Sequence, residues 1–296
     1  MKTPVFCGSG VAIVTPFDEN GKVNVSKLYE LIDMHAAAGT AAIIVCGTTG
    51  EKSTLKDAEH IDLIRKCYDY VGGRMKVVAG TGSNDTEYTL HLCQEAEDIG
   101  VDGLLMVTPY YNKTTQLGLI KHYTYVADRV HTPIILYNVP SRTGMTITTA
   151  TLKTLSEHPM INGLKDAGAN ISNTAAAIAA CGDDLYIWSG NDDEICAQMS
   201  LGAKGVISVW ANVDPVTVAK LCDACLKGDF KTGAEIQLKG YSLVKALFIE
   251  TNPMPVKTAM NMMGMGVGDV RPPLCEMLPA NEAILRAELV KAGLLK

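Results

Sequence analysis

Eight times along this chain, a short run rich in β-branched residues gives way to a longer amphipathic segment. The runs occupy residues 10–15, 42–46, 76–80, 103–108, 133–138, 161–165, 185–189 and 205–209. Helical patterns at 26–38, 58–71, 86–99, 116–129, 170–181 and 192–201 lie between them. Strand–helix alternation predicts a parallel sheet with helices outside it. Eight such units predict a closed (β/α)8 TIM barrel rather than an open doubly wound sheet. The open sheet would need a glycine-rich dinucleotide fingerprint after its first strand. Gly8-Ser9-Gly10 comes before that strand, so the fingerprint is missing. After residue 209 the runs stop, and 214–226, 231–248, 255–262 and 281–292 read as helices. The first completes the barrel, which gives a barrel at 1–228 and a C-terminal helical appendage at 229–296. The appendage is expected to pack on the barrel side and to shape an oligomer interface.

Composition excludes several classes of function. The net charge of −6 and the lack of a basic run argue against nucleic acid as a partner. No apolar stretch approaches the roughly 18 residues that span a bilayer, and the first residues lack the apolar core of a secretory signal. Nine cysteines, scattered through apolar segments, fit reduced thiols in a cytoplasmic protein. Cys222 and Cys225 form a C-x-x-C inside a helical pattern with no second ligand pair nearby. The six histidines form no metal-ligand spacing, so neither a metal nor a cofactor is expected.

In a barrel of this kind the chemistry sits at the C-terminal ends of the strands, and the unusual residues collect there. Gly47-Thr48-Thr49-Gly50-Glu51 follows the second run. Its hydroxyls and N–H groups can hold a carboxylate, though a plain Gly/Thr turn has the same composition. Thr108-Pro109-Tyr110-Tyr111-Asn112 follows the fourth run. Its phenols need polar partners, at a site or at an interface. The fifth run ends in Tyr137-Asn138-Val139-Pro140-Ser141-Arg142-Thr143-Gly144. Side chains alternate along a strand, so Tyr137 shares a face with Ile135 and points into the mouth if Ile135 fills the barrel. Arg142 suits a bidentate grip on a carboxylate.

The sixth run ends at Lys165, in Gly163-Leu164-Lys165-Asp166. Lys165 shares a face with Gly163 and points inward, while Asp166 points toward the helices. Burial there is expected to disfavour the charged ammonium relative to the neutral amine. A neutral amine can attack a ketone to form a Schiff base. The alternative is a lysine whose head snorkels to water. Ser189-Gly190-Asn191-Asp192-Asp193 closes the seventh run, with the aspartates read as a helix N-cap. Ile207 offers an apolar wall from the eighth run. One lysine, several phenols, a Thr–Thr pair and an arginine suit imine chemistry on keto acids, with a phenol shuttling protons.

These motifs, with Asn252-Pro253-Met254-Pro255-Val256-Lys257, resemble the dihydrodipicolinate synthase family within the N-acetylneuraminate lyase superfamily, over almost the whole chain. The resemblance implies Schiff-base condensation of pyruvate with L-aspartate 4-semialdehyde, on the diaminopimelate route to lysine. It implies that Lys165 is the pyruvate lysine and Tyr137 the acid/base beside it. Thr49 is implied as the hydroxyl linking Tyr137 to Tyr111, with Thr48 alongside at the substrate. Tyr111 is similar to a tyrosine donated across a dimer interface. Arg142 is implied to bind the semialdehyde carboxylate, and Gly190 and Ile207 to line the pyruvate end. A homotetramer, built as a dimer of dimers, is the usual family assembly.

A lysine-binding regulatory cleft in the family corresponds here to Lys52, Ser53, Asp57, His60, Asn84, Tyr88 and Tyr110. Lys52 and Tyr88 depart from the lysine-sensitive pattern, so weak or absent inhibition by lysine is expected. Two other readings remain open from the sequence. One is another pyruvate-dependent lyase of the superfamily, acting on N-acetylneuraminate or a 2-keto-3-deoxy-sugar acid. The other is a non-catalytic keto-acid sensor.

Overall fold

The computed structural model describes residues 2–296. Eight parallel strands close into a barrel in sequence order. They are β1 (Gly8–Ala12), β2 (Ala42–Val45), β3 (Lys76–Gly80), β4 (Gly103–Val107), β5 (Ile134–Asn138), β6 (Ile161–Asp166), β7 (Tyr186–Ser189) and β8 (Gly205–Ser208). The helices around them are α1 (Val25–Ala38), α2 (Asp57–Val71), α3 (Thr86–Ile99), α4 (Gln116–Ala127), α5 (Pro140–Thr143), α6 (Thr149–Ser156), α7 (Ile171–Cys181), α8 (Ile195–Ser200) and α9 (Pro215–Leu226). The chain ends in α10 (Phe230–Leu247), α11 (Met254–Met262) and α12 (Pro279–Lys291).

Local chemistry sets the helix ends. Asn24, Asp85, Thr115 and Asn170 accept N–H bonds as N-caps of α1, α3, α4 and α7. Gly39, Gly72 and Gly100 stop α1, α2 and α3 in the left-handed conformation.

Two apolar clusters follow from strand alternation. Ile44, Val78, Leu105, Ile135, Tyr137, Trp188 and Ile207 fill the barrel interior with Phe6. Their strand neighbours Ile43, Val77, Leu104, Leu136 and Leu164 face the helices. The outer cluster is continuous into the appendage, through Leu221 on α9 to Leu243 and Leu247 on α10 and Leu285 on α12. That contact is the packing on the barrel side anticipated for the appendage.

The first strand differs from its expected range of 10–15. It begins at Gly8, so Gly8-Ser9-Gly10 lies inside the strand and not before it. The reason is the seam of the barrel, where Gly8 pairs with Gly205 of β8. Gly205 has φ +152°, and a Cβ there would stand 1.9 Å from the Gly8 carbonyl oxygen. Only glycine lets the two strands close. The apolar pattern favoured residues 13–15, which instead form the loop above the strand. The 192–201 segment is also interrupted: a 3-10 turn at Asp192–Glu194 precedes the short α8. Asp192 is not a helix N-cap. Its Oδ2 accepts the Val209 and Trp210 N–H groups at 2.9 and 2.8 Å, joining the loops after β7 and β8. Between β5 and β6, α5 and α6 stand where the sequence pattern suggested no helix.

Candidate active site

Lys165 lies on β6 at the C-terminal end of the barrel, directly across from Tyr137 of β5 and Trp188 of β7. It is 6% exposed. Its Nζ stands 4.3 Å from the centroid of the Tyr137 ring. Beneath it, Trp188 stacks on Phe6 at 5.1 Å and seals the interior. Gly163 makes room for that seal, because a Cβ there would sit 2.3 Å from the Trp188 ring. Asp166 points the other way, accepting from Asn138 on the neighbouring β5 and from Thr174 on α7. The alternation read from the sequence therefore holds on both faces of β6.

The chain has a second buried lysine, and the comparison is informative. Lys257 on α11 is 1% exposed, and its ammonium is fully used. It donates to Glu51 Oε1 at 3.0 Å, to the Thr15 carbonyl at 3.1 Å and to the Asp269 carbonyl at 2.6 Å. Burial pushes its pKa down, and the Glu51 carboxylate opposes that shift. Lys165 forms no ion pair among the described residues; its ammonium lies against the face of the Tyr137 ring. The buried Asp192 carboxylate senses the Lys165 charge without pairing with it, and a buried amine held in no ion pair is costly as structure and useful as a nucleophile.

A cavity of about 340 Å³ opens beside the phenol. Thr48, Tyr137 and Arg142 line it together with Lys52, Ser53, His60, Tyr88 and Tyr110. Residues expected at the substrate and residues expected in the regulatory cleft thus share one space. Thr49 is not on its wall. It is 2% exposed, and its Oγ1 accepts the Asn252 side-chain N–H at 2.9 Å. Arg142 donates from Nη2 to the Asn252 carbonyl at 3.0 Å. Ile207 sits in the barrel interior with Tyr137. Gly190 packs on Ala167, where a Cβ would come within 2.7 Å. Tyr111 stands apart from all of these, 92% exposed and with φ +69°. A bulky residue held in the left-handed region with its ring in solvent is strained without local compensation.

Several cleft residues already have partners. Lys52 donates to the Gly82 carbonyl, and burial lowers its pKa to about 8. Tyr88 donates to Asp57 at 2.5 Å. Burial and that carboxylate push the phenol up to about 12. His60 Nε2 meets the Gly80 carbonyl at 3.0 Å. Burial, aided by the Lys52 ammonium, lowers its pKa to about 4. The Asn84 carbonyl accepts from the Asn112 side chain.

Asn252, Glu51 and Lys257 were not singled out for roles by sequence reasoning. Asn252 and Lys257 lie in a quoted motif, but their partners are some two hundred residues away, and only the fold reveals the contacts.

Comparison with known proteins agrees with the geometry. The dihydrodipicolinate synthetase family model matches residues 5–291. The 4-hydroxy-tetrahydrodipicolinate synthase of Clostridium tetani is 50% identical over 293 residues, covering 99% of each chain. The crystal structure of dihydrodipicolinate synthase from Aquifex aeolicus aligns with a TM-score of 0.95 at 46% identity, covering 98% of this chain and 99% of that one. The chloride-inhibited enzyme of Acinetobacter baumannii, solved in complex with pyruvate, aligns with a TM-score of 0.96 at 39% identity over 98% and 99% of the two chains.

Proposed function

We propose that this chain, which belongs to the dihydrodipicolinate synthetase family, condenses pyruvate with L-aspartate 4-semialdehyde to 4-hydroxy-tetrahydrodipicolinate. The observation that carries the reading is Lys165, buried, without an ion-pair partner and under the Tyr137 ring. The chain is a lyase of the Schiff-base-forming type. Its amine attacks the pyruvate ketone, and the carbinolamine loses water to give the imine. Loss of a methyl proton gives the enamine, whose carbon attacks the aldehyde. The semialdehyde amine then displaces Lys165 as the ring closes. Tyr137 is the group positioned to carry protons through these steps.

The cavity favours one change in the assignment of the two threonines. Thr48 shares the cavity wall with Tyr137, so its hydroxyl is the better link in the phenol relay. Thr49, held by Asn252, is the better fixed donor to the pyruvate carboxylate. Arg142 faces the same cavity and is suited to the second carboxylate. Tyr111 completes the relay of a neighbouring copy in this reading, which gives its exposure and strain a purpose. A borrowed phenol requires at least a dimer, and two such dimers would give the homotetramer usual in the family. No helix among the described residues is long and apolar enough to cross a membrane. With nine free cysteines, a cytoplasmic site of action fits.

Incubation with pyruvate and borohydride followed by peptide mapping tests the mechanism. A single reduced pyruvyl adduct on Lys165 is expected. A folded protein that takes no adduct would overturn it. Sedimentation of wild type against Tyr111→Phe, with turnover measured in parallel, tests the borrowed phenol. Lost turnover in an intact oligomer is expected.

A further inference from the structure

We propose that Asn252 is a positioning residue for the keto-acid subsite, fixing the direction in which the Thr49 hydroxyl donates its proton. The proposal rests on the pyruvate reading above. A hydroxyl has one proton and two acceptor lone pairs, and it rotates to suit its neighbours. Here one lone pair is committed to the Asn252 side-chain N–H at 2.9 Å. Thr49 is 2% exposed and Asn252 5%, so water does not compete for the bond. With that side of the oxygen occupied by a donor, the Thr49 proton must point elsewhere. In a loop that ends at the mouth of the barrel, the acceptor available when substrate binds is its carboxylate. The other end of the amide, Oδ1, has no partner among the described residues. The side chain therefore acts through its donor end alone.

Asn252 is itself rigidly held. Its carbonyl accepts from Arg142 at 3.0 Å. Five residues on, Lys257 grips Glu51, two residues beyond Thr49, with both side chains buried. One segment of the appendage thus holds the Thr48–Glu51 loop at two points. This separates two functions within one residue. The side chain addresses Thr49, and the main chain addresses Arg142. A side-chain substitution should disturb the first substrate and spare the second.

The test is steady-state kinetics of Asn252→Asp, Thr49→Val and the double variant, with thermal midpoints recorded for each. Asn252→Asp keeps the shape and replaces the donor by an acceptor. We expect KM for pyruvate to rise on the order of tenfold, the size of one directed hydrogen bond to a charged group. KM for the semialdehyde should stay within about twofold, because a main-chain carbonyl holds Arg142. In the Thr49→Val background, Asn252→Asp should add no further loss. Asn252→Ala gives the same comparison if the aspartate variant does not fold. An unchanged KM for pyruvate, equal losses for both substrates, or full additivity in the double variant would each overturn the proposal. Borohydride trapping on wild type distinguishes the two failures. An adduct on Lys165 with an indifferent Asn252 sinks only the positioning role. The absence of any adduct sinks the pyruvate reading itself.

Discussion

Replacing Lys257 by methionine should destabilise the protein severely, although the new side chain is apolar and close in length. Lys257 is 1% exposed, and the side chains of the ion pair with Glu51 are 2% and 1% exposed. Removing the ammonium leaves the Glu51 carboxylate in the interior, with the Arg271 N–H on Oε2 at 2.8 Å remaining to it. It also strips a donor from the carbonyls of Thr15 and Asp269. Breaking a buried pair from one side costs about 3–5 kcal/mol, because the surviving charge is uncompensated. Unfolding entropy near 2.1 cal/mol/K per residue gives a chain of 296 residues about 0.6 kcal/mol/K. The loss then corresponds to a fall of about 5–8 °C in the thermal midpoint. The double variant Lys257→Met with Glu51→Gln removes both charges and should recover at least half of that fall. The assay is scanning calorimetry at a fixed protein concentration, since assembly shifts the midpoint. A single variant within about 2 °C of wild type would refute the reasoning, as would a double variant less stable than the single.

Three further outcomes follow from the same structure. Gly163→Ala should cost about 1–3 kcal/mol or more and lower turnover. Its Cβ would enter the Trp188 ring at 2.3 Å and meet the Tyr186 carbonyl at 2.6 Å, two residues from Lys165. An unshifted urea midpoint would contradict this. Stability should fall as pH drops below about 6.5, because His35, His60 and His122 titrate in the fold near 3, 4 and 4, chiefly through burial. Their folded pKa values lie below the unfolded value of about 6.5. The unfolded state therefore binds more protons between roughly pH 4 and 6.5, and each histidine contributes a slope of about 1.4 kcal/mol per pH unit. Urea midpoints that stay flat from pH 7 to 5 would contradict that sign. Sub-millimolar lysine should leave turnover unchanged. Asp57 is bound by the Tyr88 phenol, and the Lys52 ammonium already sits on the Gly82 carbonyl. Half-inhibition in that range would show that the cleft rearranges.

Much of this protein was legible in the sequence because its signals are local. Strand alternation put Lys165 and, once Ile135 fills the barrel, Tyr137 on the inner face and Asp166 on the outer one, and the two apolar clusters divide along the same alternation. Helix boundaries were close because Asn24, Asp85 and Asn170 cap within three residues of their own position. The first strand was displaced because the seam depends on Gly8 meeting Gly205, a pairing between opposite ends of the barrel. The different surroundings of Thr48 and Thr49, adjacent and chemically identical, were equally hidden, since Asn252 lies 203 residues away.

The sequence by itself determined the barrel, the inward lysine and the absence of a dinucleotide fingerprint, because periodicity and turn chemistry act over a few residues. Tertiary structure alone decided which buried lysine is satisfied and which is left outside any ion pair. Lys257 and Lys165 both lie in apolar stretches of sequence. What separates them is the Glu51 carboxylate and the Thr15 carbonyl, brought from the other end of the chain, and the nearer Asp269 carbonyl, all gathered on one ammonium and not on the other. Desolvation and pairing depend on what surrounds a charge in space, and closure of the barrel and docking of the appendage set those surroundings.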